Sequence, residues 1–148
     1  MKLLPIYKLF VGTQTEFTRP FRENEALFKQ AQAFWNKLES CSLIILLIFV
    51  VLGIALAASY YQPYNNMPGR HYTPMHWIGF LIGTFIITLL VTLGFEYFAV
   101  PPKLDGAFVL ELRIAVGNAV YATLLFILTS WVWCQFKLPT NAYRLIKF

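Results

Sequence analysis

Three long apolar runs constrain this chain more than any other feature of its sequence. They read CSLIILLIFVVLGIALAASY (41–60), WIGFLIGTFIITLLVTLGFEYFAV (77–100) and IAVGNAVYATLLFILTSWVWC (114–134). An α-helix needs about 20 such residues to cross about 30 Å of hydrocarbon. With 58% of its residues hydrophobic and 13% charged, the chain is too apolar for a soluble domain of its length. We therefore predict an all-α polytopic membrane protein with three transmembrane helices.

An amphipathic segment precedes the first apolar run. Its apolar side chains recur at helical spacing between residues 27 and 38, with most charged side chains elsewhere. We predict an N-terminal amphipathic helix that either lies in the membrane interface as an anchor or packs on a partner in the cytoplasm. Residues 10–17 have no clear period and are predicted as loop. The predicted division is an N-terminal cytoplasmic region (1–40), a transmembrane domain (41–134) and a tail (135–148).

Positive charges determine the predicted orientation. The first forty residues hold Lys2, Lys8, Arg19, Arg22, Lys29 and Lys37, whereas residues 62–76 hold only Arg70. The positive-inside rule then places the N-terminus in the cytoplasm, and we expect a bacterial inner membrane. Three crossings place the tail outside. The tail carries three cations of its own, which favour a location inside: Lys137, Arg144 and Lys147. A fourth membrane crossing therefore stays an alternative.

The first connector, YYQPYNNMPGRHYTPMHW (60–77), holds Arg70 and both histidines, His71 and His76. Its prolines are expected to exclude regular helix, which gives a rigid outer loop. A metal site would need further Cys, His or carboxylate ligands, which the outer segments do not offer. We therefore expect no metal. Interfacial hydrogen bonding is the favoured role of the histidines, and an outside pH sensor is the alternative.

Small and polar residues mark the predicted contact face of the second and third spans. Gly79 and Gly83 form a GxxxG pair, which permits close approach of two helices. The polar members of the face are Thr84, Thr88, Thr92 and Asn118. Such residues within lipid usually contact another helix, because hydrocarbon offers them no hydrogen-bond partner. Helix packing is the favoured interpretation, and a pore lining is the alternative.

Glu96 is the ionisable residue nearest to the interior of a predicted span. An unpaired charge in hydrocarbon is costly, so Glu96 needs a partner. Arg113 lies on the other side of the turn VPPKLDG, and we predict a structural ion pair between the two.

Catalysis has little support in this sequence. It contains no Gly-rich phosphate loop, HExxH, GxSxG or CxxC motif, so we expect neither an enzyme nor a cofactor. Basic flanks at a membrane surface account for the net charge of +5, and no nucleic-acid partner is expected. The expected partners are the lipid bilayer and either further copies of the chain or another membrane protein.

Three functions fit these expectations. The first is an oligomeric or accessory subunit of a membrane complex. The second is an oligomeric pore-forming or membrane-perturbing effector, for example in bacterial defence. The third is a membrane-embedded sensor that uses the outer loop.

The predicted topology can be tested by labelling single cysteines from outside, in a background that lacks Cys41 and Cys134. Gly69→Cys and Thr140→Cys should be modified, and Gln14→Cys should be protected, because only the first two lie outside in a three-span arrangement. Labelling at position 69 without labelling at position 140 would instead show an even number of crossings.

Overall fold

A computed structural model of the protein describes residues 5–68, 73–100 and 104–136. Within these ranges all regular structure is helical. The short N-terminal elements are a 3-10 turn (Pro5–Tyr7), α1 (Lys8–Val11), α2 (Gln14–Thr18) and a second 3-10 turn (Arg19–Phe21). The longer elements are α3 (Glu25–Ser40), α4 (Ser42–Ser59) with a following π-helical turn (Tyr60–Tyr64), α5 (Pro74–Ala99) and α6 (Ala107–Gln135).

The three predicted spans are confirmed as helices. The first runs from Ser42 to Tyr64, and the three have 23, 26 and 29 residues and the apolar composition needed to cross a membrane. At about 1.5 Å per residue, each is longer than about 30 Å of hydrocarbon. α6 begins at Ala107 rather than at residue 114, because Glu111 and Arg113 interrupt the apolar run without interrupting the helix. The chain is an all-α membrane protein.

Helical structure extends further into the first connector than its prolines suggested. Pro63 lies inside the π-helical turn. Pro74 is the first residue of α5, where a proline loses no hydrogen bond because that N–H has no partner within the helix. The side chain of Asn65 donates to the backbone carbonyl of Tyr60, an acceptor near the end of the first span. The expectation that the prolines exclude regular helix is therefore wrong at Pro63 and at Pro74.

The prediction of loop over residues 10–17 is also wrong. α1 ends at Val11 and is capped by Gly12, whose φ of 73° is accessible to glycine at little cost. α2 begins with a capping box, in which Glu16 Oε2 accepts from the N–H of Thr13 at 2.8 Å and Thr13 Oγ1 accepts from the N–H of Glu16 at 3.3 Å. The pattern Thr-x-x-Glu was the signal for a helix start. These helices have four and five residues, too few to show a hydrophobic period.

The amphipathic helix is confirmed as α3. Asn24 caps its N-terminus by accepting from the N–H groups of Ala26 and Leu27. On its inner face Ala31, Phe34, Trp35 and Leu38 are buried. The ring of Phe17 in α2 lies 5.8 Å from the rings of both Phe34 and Trp35. Much of the apolar face of α3 is therefore covered by the chain itself.

Contacts divide the chain into two compact units. The first unit groups the N-terminal residues up to Leu47 with Leu89–Asn118, and the second groups Ile48–Thr88 with the residues from Ala119 onward. α3 belongs entirely to the first unit, whereas α4, α5 and α6 each contribute residues to both units. This division by contacts differs from the predicted division at residues 40 and 134, which describes location relative to a membrane and stays a prediction.

The second unit is held together by aromatic rings and one close helix approach. Its buried core consists of Ala57, Tyr60, Tyr61, Trp77, Phe126 and Cys134. Trp77 Nε1 donates to Ser130 Oγ at 3.2 Å. At Gly53 in α4, an added Cβ would lie 2.8 Å from the backbone oxygen of Ala122 in α6. Only glycine permits this approach of the two backbones.

Gly53→Ala should therefore destabilise the protein by about 1–3 kcal/mol, because the methyl group forces two packed helices apart. Gly94→Ala is the matched control, since a Cβ there would meet no heavy atom of the described residues within 4 Å. The control should be neutral or stabilising by up to about 1 kcal/mol through helix propensity. Thermal unfolding in detergent measures both, and equal midpoints would contradict the close approach at Gly53.

Candidate functional site: a buried polar cluster at Asn118

The side chain of Asn118 joins three helices within the first unit. It lies on α6 and has no solvent exposure. Its Nδ2 group donates to the backbone oxygen of Ile45 in α4 at 2.8 Å and to Thr92 Oγ1 in α5 at 2.9 Å. A primary amide has two N–H donors, and both are therefore used.

The amide oxygen of Asn118 is bound by the N-terminal segment. Tyr7 is 1% exposed, and its hydroxyl donates to Asn118 Oδ1 at 2.5 Å. The neighbouring Phe10 ring lies against Gly117, where an added Cβ would meet Phe10 Cδ2 at 2.9 Å. A glycine is needed at this position because the ring occupies the space of a side chain. Tyr7 and Phe10 thus dock the N-terminal segment onto α6.

Two buried carboxylates lie in the same unit. Glu96 and Glu111 are 0% and 1% exposed, and both have interactions within the structure. Arg113, the predicted partner of Glu96, is instead exposed. Within the described ranges, Glu96 and Arg113 form no ion pair.

The predicted contact face of α5 occupies two different faces of the helix. Thr84, Thr88 and Thr92 are fully buried, and Thr84 Oγ1 donates to the backbone oxygen of Phe80 at 2.8 Å. A Cβ added at Gly79 or Gly83, in contrast, would meet no heavy atom of the described residues within 4 Å. The threonines therefore face the chain's own interior, and the glycines line a surface that none of the described residues covers.

The outer-loop candidates are only partly described. Arg70 and His71 lie outside the described residues. His76 is in the first turn of α5, and its ring meets that of Tyr64 edge-on at 5.8 Å between centroids. In the part of the chain that the structure describes, no three His, Cys, Asp or Glu side chains are grouped so as to hold a metal ion.

The geometry at Asn118 fits a structural role. Its hydrogen-bonding groups are matched by a phenol, a threonine hydroxyl and a backbone carbonyl, and none of these is an activated nucleophile or base. Sequence reasoning identified Asn118 and Thr92 as residues that need partners. It missed Tyr7, because a lone tyrosine in a segment without a period gives no signal of where it docks.

A double-mutant cycle tests the link between Tyr7 and Asn118. Tyr7→Phe should lower the free energy of unfolding by about 1 kcal/mol, because one buried hydrogen bond is lost. Asn118→Leu should cost more, about 2–4 kcal/mol, since it leaves buried donors and acceptors without partners. Tyr7→Phe should then have little further effect in the Asn118→Leu background. Unfolding in mixed micelles provides the measurement, and strictly additive effects would exclude a direct interaction.

Comparison with known proteins gives no relative for this chain: no family model, curated protein or solved structure matches it.

Proposed function

We propose that this protein is a non-enzymatic integral membrane subunit that assembles with further copies of itself or with a partner membrane protein. Its proposed location is a bacterial inner membrane, with the N-terminus in the cytoplasm. In support of this orientation, Lys8, Arg19, Arg22, Lys29 and Lys37 are all exposed. In that position they can contact anionic lipid headgroups.

The open glycine surface of α5 carries this proposal. Gly79 is exposed and Gly83 is half-buried, and the space beside each is unfilled by any described residue. In lipid, a GxxxG pair lets a second helix approach closely, and the gain comes from van der Waals contact along the helices. A glycine pair that the described residues do not use for packing is therefore available to a helix of another molecule.

Burial of the threonines favours a subunit over a pore. A pore lining requires polar side chains that face a water-filled lumen. Thr84, Thr88 and Thr92 are instead covered by the same chain, and the hydroxyl of Thr92 accepts from Asn118. The polar groups of α5 thus contribute to the packing of each copy.

Adding bulk on the glycine surface should disrupt assembly and leave each copy folded. Gly79→Ile and Gly83→Ile should lower the assembly size in mild detergent, or release the partner protein, because the side chain holds the facing helix away. Ala55→Ile is the control, since it adds bulk at an exposed position on α4. Size-exclusion chromatography with light scattering, together with crosslinking in membranes, measures the outcome.

Two results would contradict the proposal. A wild-type chain that is strictly monomeric and retains no partner would exclude a subunit role. Unchanged assembly in both glycine variants would exclude this surface as the contact. Planar-bilayer recording distinguishes the subunit from the alternative, a pore. Thr88→Val removes a hydroxyl with little change in shape, so it should alter conductance only if Thr88 faces a lumen.

A further inference from the structure

A cleft of about 740 Å³ opens in the first unit between the N-terminal segment and the start of α6. It is lined by residues of α1, α2 and the second 3-10 turn, and by Val109, Leu110 and Arg113 of α6. Its volume lies within the range of about 300–1,000 Å³ that small-molecule sites have.

Among the residues that the structure describes, four charged side chains line this cleft, two of each sign: Lys8, Glu16, Asp105 and Arg113. All four are exposed, and in the part of the chain that the structure describes none of them belongs to an ion pair. Glu16 contributes one carboxylate oxygen to the capping box. The described part of the lining therefore has a formal charge of zero, with both signs available to a ligand.

The remaining wall is apolar and continues onto the outer surface. Phe10, Phe17 and Phe21 line the cleft beside Val109. Leu9 also lines the cleft and is 85% exposed. Val109 is 51% exposed and belongs to the third span. An apolar chain in the bilayer can therefore reach the cleft along hydrophobic surface.

The cleft lies at one end of a membrane span. Arg113 and Asp105 are within about two turns of Ala107, where α6 begins. Charged residues at the end of a span lie at the level of the lipid headgroups. The cleft is therefore at headgroup level whether this end of the span lies in the inner or the outer leaflet.

We propose that the cleft binds one zwitterionic phospholipid with a primary ammonium headgroup, of the phosphoethanolamine class. Arg113 and Lys8 hold the phosphate, Asp105 and Glu16 accept from the ammonium, and the acyl chains follow the apolar wall into the bilayer. A purely anionic headgroup would face two carboxylates as well as two cations. A headgroup with both charges is complementary to all four.

The carboxylates of Asp105 and Glu16 indicate that the headgroup has a primary ammonium rather than a choline group. A primary ammonium donates three hydrogen bonds, whereas a choline headgroup donates none and is usually bound by aromatic rings. Here the aromatic rings have other contacts. Phe17 packs on Phe34 and Trp35, and Phe10 packs on Gly117. The carboxylates are then the groups that recognise the ammonium.

Native mass spectrometry of the delipidated full-length protein in detergent tests this assignment. Palmitoyl-oleoyl phosphatidylethanolamine should bind about tenfold more tightly than the matched phosphatidylcholine or phosphatidylglycerol, since one charge-assisted hydrogen bond contributes about that factor. Arg113→Gln should weaken phosphatidylethanolamine binding about tenfold, and Arg113→Lys should recover part of it. Asp105→Asn should abolish the preference over phosphatidylglycerol.

Control variants and a soluble competitor complete the experiment. Lys29→Gln and Glu23→Gln change exposed charges outside the cleft and should leave binding within about twofold. Glycerophosphoethanolamine, which has the headgroup without acyl chains, should compete only at much higher concentration. Three results would each overturn the proposal. They are equal binding of the three lipids, unchanged binding by the Arg113→Gln variant, and competition by glycerophosphoethanolamine at the concentrations at which phosphatidylethanolamine itself binds.

Discussion

Hydrocarbon offers no hydrogen-bond partner, and this constraint governs how the first unit is built. The amide of Asn118 lies within the third span, so the protein itself must supply hydrogen-bond partners for its two donors and its acceptor. The matching groups come from α4, α5 and the N-terminal turn. One side chain thereby joins α4, α5, α6 and the N-terminal turn within the first unit.

The sequence was sufficient for elements whose signal is local. The spans were evident from the length of their apolar runs, and α3 from the period of its apolar residues. Tyr7 could not be placed, because its docking depends on an asparagine far along the chain and on the gap at Gly117. The start of α2 could have been predicted from Thr13 and Glu16, whose capping box is a purely local signal.

The helical period explains why one predicted face of α5 occupies two faces in the structure. Gly79 and Gly83 belong to one row of residues spaced by four, and Thr84, Thr88 and Thr92 belong to the adjacent row. Successive residues differ by about 100° around the axis, so Gly83 and Thr84 point in clearly different directions although they are neighbours in sequence. The sequence prediction placed the glycines and the threonines on one face because both kinds of residue favour helix contacts. In the structure the threonines face the chain's own interior, whereas the glycines lie on a different face of the helix.

The docking of Tyr7 has a consequence for biogenesis. Tyr7 and Asn118 are separated by 111 residues. At synthesis rates of about 5–20 residues per second, the N-terminal turn is made about 6–20 s before its binding site. During that interval the first two helices can enter the membrane, while Thr92 and the carbonyl of Ile45 lack the amide that later joins them. The amino terminus is therefore made first, yet its hydrogen bond to Asn118 can form only after that part of α6 has been synthesised.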